Sequence, residues 1–348
     1  MSFQRFDLEN DVVENQKTTI SSGLWTGGVG TLDSYFTQSN FGQQTGSYLD
    51  VYNEDPNLSS SAEVQFAIGY AHIEGSGSIG NTTKLNSGNR DSAAMYRQFR
   101  NILLAPNTDR FSFTATTTGS GDKDFYFVSF QRARQREKID PGNWELKLSG
   151  NMHAEMKDDK LLLIDDSSAG GTTTVGEGGR VFNVVSGSIA TGTAVTKTTA
   201  ANQQGGAYGL FYPDLGIIVL NAPITSVSAS FNRASGSAGT TDPSNALDLV
   251  EGIKRASYFV SRREENLNTT HYFCRATNQK FNYTNNPTFF TASDGTLTVS
   301  SFDSDPHTYI TTVGLYNDNN ELLAVAKLST PIQKSFSREA IVKVKLDY

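Results

Sequence analysis

The sequence has one cysteine, Cys274, in 348 residues, four histidines, and charged side chains at only 19% of positions. A single cysteine excludes an intrachain disulfide framework and any multi-cysteine metal site. No run of about 18 apolar residues occurs, so a membrane-spanning helix is not expected. The first twenty residues carry Asp7, Glu9, Asp11 and Glu14 and lack an apolar stretch, which reads as a chain made without export. No repeat of fixed period is visible, which excludes a solenoid, a propeller or a uniform β-helix. Charge is too sparse for a solvated disordered chain, and 21 Phe and 14 Tyr supply ample core material. What is there is a loop-rich, hydroxyl-rich sequence with 31 Gly, long enough for two domains.

The formal net charge is −7, a balance that disfavours nucleic acid and anionic membranes as partners. Two basic groups stand against that trend. Arg132, Arg134 and Arg136 recur at period two within 131–138, so an extended chain would place them on one face. Lys254, Arg255, Arg262 and Arg263 form the second group. Neither is interleaved with stacking aromatics, so the expected role is a solvated strand face or a salt-bridged contact between subunits.

Residues 1–47 read as an arm of turns and brief elements. Such an arm cannot bury its own Leu24, Trp25, Tyr35 and Phe36, and is expected to dock on another chain. Deleting it should then leave a folded, soluble protein. Strands are expected at 48–52 and 63–70, the second alternating Val64, Phe66 and Ile68 with polar residues. After a Gly/Ser loop over 75–89, Asp91 or Ser92 caps a helix with Met95, Phe99, Ile102 and Leu103 at helical spacing, closed by Pro106. The segment 124–136 is apolar on both faces early and basic on one face later, as in a central strand emerging towards a polar edge. Asp140-Pro-Gly-Asn143 is a turn. Short strands follow at 144–148, 161–164 and 181–185, with a hairpin of 208–212 and 217–220, separated by long loops at 167–179 and 191–206. Asp242-Pro243 opens a second helix with Leu247, Leu249, Val250 and Ile253 inward. The last hundred residues return to strands at 257–261, 271–276, 308–316, 322–328 and 340–346, with a tight turn at 317–320.

The expected fold class is therefore all-β, mainly an antiparallel β-sandwich, with two short helices and a β-rich inserted domain. Its divisions would be the arm 1–47, a core domain of 48–140 with 255–348, and an insertion at 141–254.

Chemistry is hard to find. His72, His153, His271 and His307 have no second ligand at a metal spacing. His271 and Cys274 lie three apart and face opposite ways if extended, leaving Cys274 as a small buried hydrophobe. Asp158-Asp159 and Asp165-Asp166 are adjacent pairs whose side chains diverge, and no calcium-loop pattern surrounds them. Gly75-Ser-Gly77-Ser-Ile-Gly80 matches a phosphate-loop spacing but is separated from the next helix by a polar stretch. No nucleophile elbow occurs. The chain is expected to be no enzyme and to carry no metal or cofactor.

Two stretches carry a family likeness. Phe125-Tyr-Phe-Val-Ser-Phe-Gln-Arg-Ala-Arg-Gln-Arg-Glu-Lys-Ile-Asp-Pro-Gly-Asn-Trp144 resembles a segment of virion structural proteins of T-even-like marine phages, the cyanophage type. The passage from Tyr309-Ile-Thr-Thr-Val-Gly-Leu-Tyr316 to Thr330-Pro-Ile332, closing in Ala340-Ile-Val-Lys-Val-Lys-Leu-Asp-Tyr348, is similar in the same way. The likeness covers about 96–149 and 280–348. It implies a tail protein, most naturally a baseplate-wedge component, present in the virion and made in the host cytoplasm. Partners would be other tail or baseplate proteins and further copies of this chain, with no nucleic acid and no membrane insertion. The candidate contact residues are Trp25, Tyr35 and Phe36 of the arm and Arg132, Arg134 and Arg136 of the basic row. The alternative is a receptor-binding fibre or adhesin gripping a host-surface glycan, against which stands the lack of stalk heptads.

Overall fold

The computed structural model describes residues 3–37, 48–77, 91–113, 122–150, 161–169, 174–189, 208–229, 231, 244–284, 286–291 and 294–348. The expected loop at 191–206, most of the one at 75–89, part of the one at 167–179 and the Asp242-Pro243 cap lie outside them.

The chain begins with β1 (Val12–Gly23), β2 (Thr31–Leu32), β3 (Tyr48–Tyr52), β4 (Val64–His72), α1 (Asp91–Leu103) and β5 (Asp124–Phe130). A single turn, α2 (Arg132–Gln135), leads into β6 (Lys138–Leu148), β7 (Leu161–Asp165), β8 (Thr174–Gly176) and β9 (Gly179–Ser186). The hairpin β10 (Gly209–Tyr212) and β11 (Ile217–Asn221) precedes α3 (Ala222–Ala229) and α4 (Ser244–Ala256). The strands β12 (Phe259–Ala276), β13 (Thr308–Tyr316), β14 (Leu322–Lys334) and β15 (Ala340–Asp347) complete it. Among the described residues the protein is mostly antiparallel β-sheet, with a large sheet and a second small one, and with four short helices where two were expected. Two compact units result: 20–265, and 1–19 together with 266–348. These bounds fall inside β1 and β12, away from the 47, 140 and 254 read from sequence. The segment 141–254 is not set apart, because β6, β7, β9, β10 and β11 stand between β12 and β5 in one sheet.

In the unit 20–265 the strand order is β12-β6-β7-β9-β10-β11-β5-β4-β3, with β2 beside β12 and β8 beside β9. The hairpin expected at 208–220 forms, with Leu210 opposite Val219 and Tyr212 opposite Ile217. The double-faced pattern of β5 has a direct structural cause. Phe125 and Phe127 pack with Tyr96, Phe99 and Leu103 of α1 on one side. Tyr126, Val128 and Phe130 join Leu249, Val250 and Ile253 of α4 on the other, so helices cover both faces. Two sequence expectations fail here. The strand at 124–136 ends at Phe130, and the arginine row turns through α2, with Arg136 at φ 57°. The turn at 140–143 does not end a strand. Lys138 and Ile139 pair with Glu264 and Arg263, and pairing with the same strand resumes at Trp144 opposite Ser261, so the turn is a bulge. Gly142, at φ 79°, supplies the conformation it needs.

In the unit 1–19 and 266–348, the second part of β12 pairs with β15 from Thr269 opposite Asp347 to Ala276 opposite Ala340. β13 and β14 form a two-stranded ribbon. Strict alternation along β15 turns Val342 and Val344 inward, where they meet Leu315, Val313, Ala324, Ala326 and Tyr272. The β12–β15 part of the large sheet and the β13–β14 ribbon thus face each other over a thin apolar layer, as in a sandwich.

Candidate interaction surface

The six candidate contact residues have different fates. Trp25 is only 1% exposed and packs against Phe66, Phe130 and Phe259, with ring centres 5.0–5.9 Å away. Its Nε1 donates to the carbonyls of Gly30 and Phe259, both at 3.1 Å. Tyr35 is buried too, and its hydroxyl donates to Leu32 O at 2.5 Å. Neither is available to a partner, because the arm lies on its own chain's sheet and fills that core. Phe36 remains exposed while its backbone bridges to Tyr52. Arg134 pairs with Glu63 at 2.7 Å and Arg136 with Glu265 at 3.1 Å. Arg132 stays at the surface and donates to Glu137 O at 3.3 Å. The three arginines share no strand face and find their partners within the chain.

The buried acids serve the backbone. Asp165 accepts from the amides of Gly142 at 2.7 Å and Ser167 at 2.9 Å, and burial raises its pKa. Asp166 takes both the backbone and side-chain nitrogens of Asn183, at 2.9 and 2.7 Å. The pair diverges as adjacent residues on a strand must. Glu145, 1% exposed, accepts from Ser188 Oγ and Ile189 N. Cys274 lies in the thin apolar layer and burial raises its thiol pKa, so little thiolate forms. Among the described residues no group of three or more His, Cys, Asp or Glu gathers around a possible cation. A groove of about 620 Å³ runs between the end of α1 and the β8–β9 hairpin, lined by Leu103, Leu104, Val175, Leu210 and Tyr212. Among its described lining residues Glu177 is the one carboxylate.

The outer side of the β13–β14 ribbon is different. Leu323 is 68% exposed, Val325 58% and Leu322 52%, with Tyr309 and Tyr316 also open. Tyr316 and Leu322 lie over Gly314, where an added Cβ would come within 2.9 Å of the Tyr316 ring. Among the described residues β13 and β14 pair only with each other, so each has an open edge. An apolar face beside unpaired strand edges is the usual form of a protein-binding surface. No protein-family model, curated protein or solved structure matches the chain. The contact residues named from sequence missed this face. Its signal was present in Leu322-Leu-Ala-Val-Ala326, which is apolar at consecutive positions and therefore on both sides of a strand. One side meets β12 and β15; on the other, Phe3 packs edge-on against Tyr316 at 5.0 Å, and Leu322, Leu323 and Val325 remain exposed.

Proposed function

We propose that this protein is a non-enzymatic structural subunit of a contractile phage tail, in the baseplate wedge, where it joins neighbouring virion proteins. The observation that carries the reading is the uncovered apolar side of the β13–β14 ribbon. It lies within 309–332, one of the passages that resemble phage virion proteins. The occupant is a neighbouring tail protein, which covers Leu322, Leu323 and Val325 and adds its own strand to an open edge. Such contacts hold by burial rather than ion pairing, and can re-pack when the tail contracts. The test is the double variant Leu323→Asp with Val325→Asp, supplied in place of the native chain during particle assembly. Both side chains are exposed, so the purified variant keeps its melting temperature while mass spectrometry finds it missing from finished particles. Incorporation at the native level would overturn the proposal. Specific glycan binding by the isolated chain would replace it with the adhesin reading.

A further inference from the structure

Lys334, the last residue of β14, is fully buried, an uncommon situation for a lysine. Its Nζ donates to Asn282 Oδ1 at 2.5 Å and to Asn278 O at 3.3 Å. Asn282 is held in turn, its Nδ2 donating to Asn278 O at 2.6 Å. The preceding residue, Phe281, takes a left-handed φ of 59°, and its carbonyl accepts from Thr308 Oγ1 on β13. The amide is therefore presented to the amine by a fixed local geometry. Ser335 and Arg338 bridge across a tight turn, so Lys334 and Glu339 flank it and interact electrostatically. Every one of these residues belongs to the same unit.

We propose that Lys334 and Asn282 join covalently through an isopeptide bond between Lys334 Nζ and Asn282 Cγ. With Nζ 2.5 Å from Oδ1 and a carbonyl bond adding about 1.2 Å, the reacting carbon is within about 3.7 Å of the amine, close to a near-attack distance. The neutral amine attacks Cγ and the new C–N bond forms. The Cγ–Nδ2 bond then breaks, and the amide nitrogen takes the amine's proton and leaves as ammonia. No oxidant or further reactant is needed. Loss of solvation disfavours the ammonium form of a buried lysine, which supplies the nucleophile. Glu339 is held by the Arg275 guanidinium at 2.9 Å, which keeps its carboxyl below the usual range, and it accepts from the Asn278 backbone amide. Its charge opposes but does not outweigh the desolvation of Lys334, and we assign it the proton relay. The inference does not depend on the proposed place in a virion.

Intact mass of the purified full chain tests it. The expected mass is lower than the sequence mass by one ammonia, with a branched peptide linking residues 282 and 334 after digestion. Lys334→Arg and Asn282→Ala should each restore the unreacted mass, and Lys334→Met covers the case in which arginine does not fit. An ammonia loss that persists in the Lys334 variants would be a cyclised asparagine and would overturn the proposal. So would a full native mass with separate peptides. Glu339→Gln should abolish the link and Glu339→Asp restore it. A link that forms equally fast in Glu339→Gln removes Glu339 from the reaction.

Discussion

Replacing Trp25 with alanine separates an arm that docks on another protein from a segment that belongs to the core. The indole is 1% exposed and is surrounded by Phe66, Phe130 and Phe259, so its removal opens a cavity lined by three rings. Buried Trp→Ala changes cost about 3–5 kcal/mol. Of the two carbonyls it leaves, that of Gly30 keeps a bond from Ser261 N at 2.9 Å, so the hydrogen-bonding part of that cost is only about 1 kcal/mol. A total near 4 kcal/mol is a large part of the stability of an ordinary domain. With an m-value of about 3 kcal/mol/M it lowers the urea midpoint by about 1.3 M. Trp144, the other tryptophan, is fully buried in the same unit and reports the transition by fluorescence. Trp25→Phe keeps the ring packing and should lose about a third as much. By the same logic, deleting 1–47 should give insoluble protein, the opposite of what a free arm implies. An unchanged midpoint in Trp25→Ala, or a folded deletion product, would refute the placement of this segment in the core.

Two further perturbations probe the same unit. In Gly209→Ala the new Cβ would lie 2.0 Å from Val219 O and 2.9 Å from Leu220 Cα, both backbone atoms of the paired strand. The β10–β11 register cannot absorb this, and a loss of about 3 kcal/mol or more is expected in urea titration, or a collapse of soluble yield. Arg180→Gln is read out by pH. Burial raises the pKa of Asp214, but the hydrogen bonds and charge of Arg180, 2.8 Å away, outweigh it and leave the carboxyl below its usual value of 3.8. A depressed folded-state pKa stabilises above the unfolded value and is lost as pH falls through the folded one. In the variant the backbone amide of residue 180 and the charge of Lys138 still favour the carboxylate but the guanidinium is gone, so the acid loss of stability should begin at higher pH. Urea midpoints between about pH 2 and 6 should show the native advantage largest at the upper end and vanishing at the lower. A constant difference across that range would refute the assignment.

Much of the strand pattern could be read from sequence because burial imposes it directly. β5, β10, β11 and β15 carry apolar residues at the spacing their buried faces require. β1 could not be read, since Val13, Glu14 and most of Lys17–Ser21 are exposed at the sheet margin and no alternation marks them. The helix α3 was missed although Asn221-Ala-Pro223 repeats the cap-and-proline signal used for α4. Asn221 Oδ1 does accept from Ile224 N, at 3.3 Å, but Thr225, Ser226 and Val227 are poor helix formers and masked the signal. The candidate contacts were misjudged for a different reason. An aromatic in a Gly-rich segment looks exposed when the strands that cover it are distant in sequence. Conversely, the uncovered side of the β13–β14 ribbon follows only once it is known that one sheet, and not two, packs on it.

The arginine row shows most directly why period alone is a weak guide for charge. Hydrophobic residues at period two are held there by a common interior, whereas charged ones are placed by whichever opposite charge is within reach. Here the reach is long: Arg136 meets Glu265 across 129 positions. The β6–β12 register brings Lys138 opposite Glu264, and their side chains close to 2.8 Å with both about four-fifths buried. Arg263, from the second basic group, shares Glu265 with Arg136 at 2.8 Å. Arg134 reaches back to Glu63. Four basic side chains thus meet three carboxylates at the bulge where the 140–143 turn interrupts pairing. Half-buried pairs of this kind fix strand register more than they add stability, because desolvation offsets most of their attraction. A positive groove for nucleic acid would need these cations uncompensated and aligned on one face. Instead Arg134, Arg136 and Arg263 are ion-paired with Glu63 and Glu265, and the turn at α2 takes the row out of line.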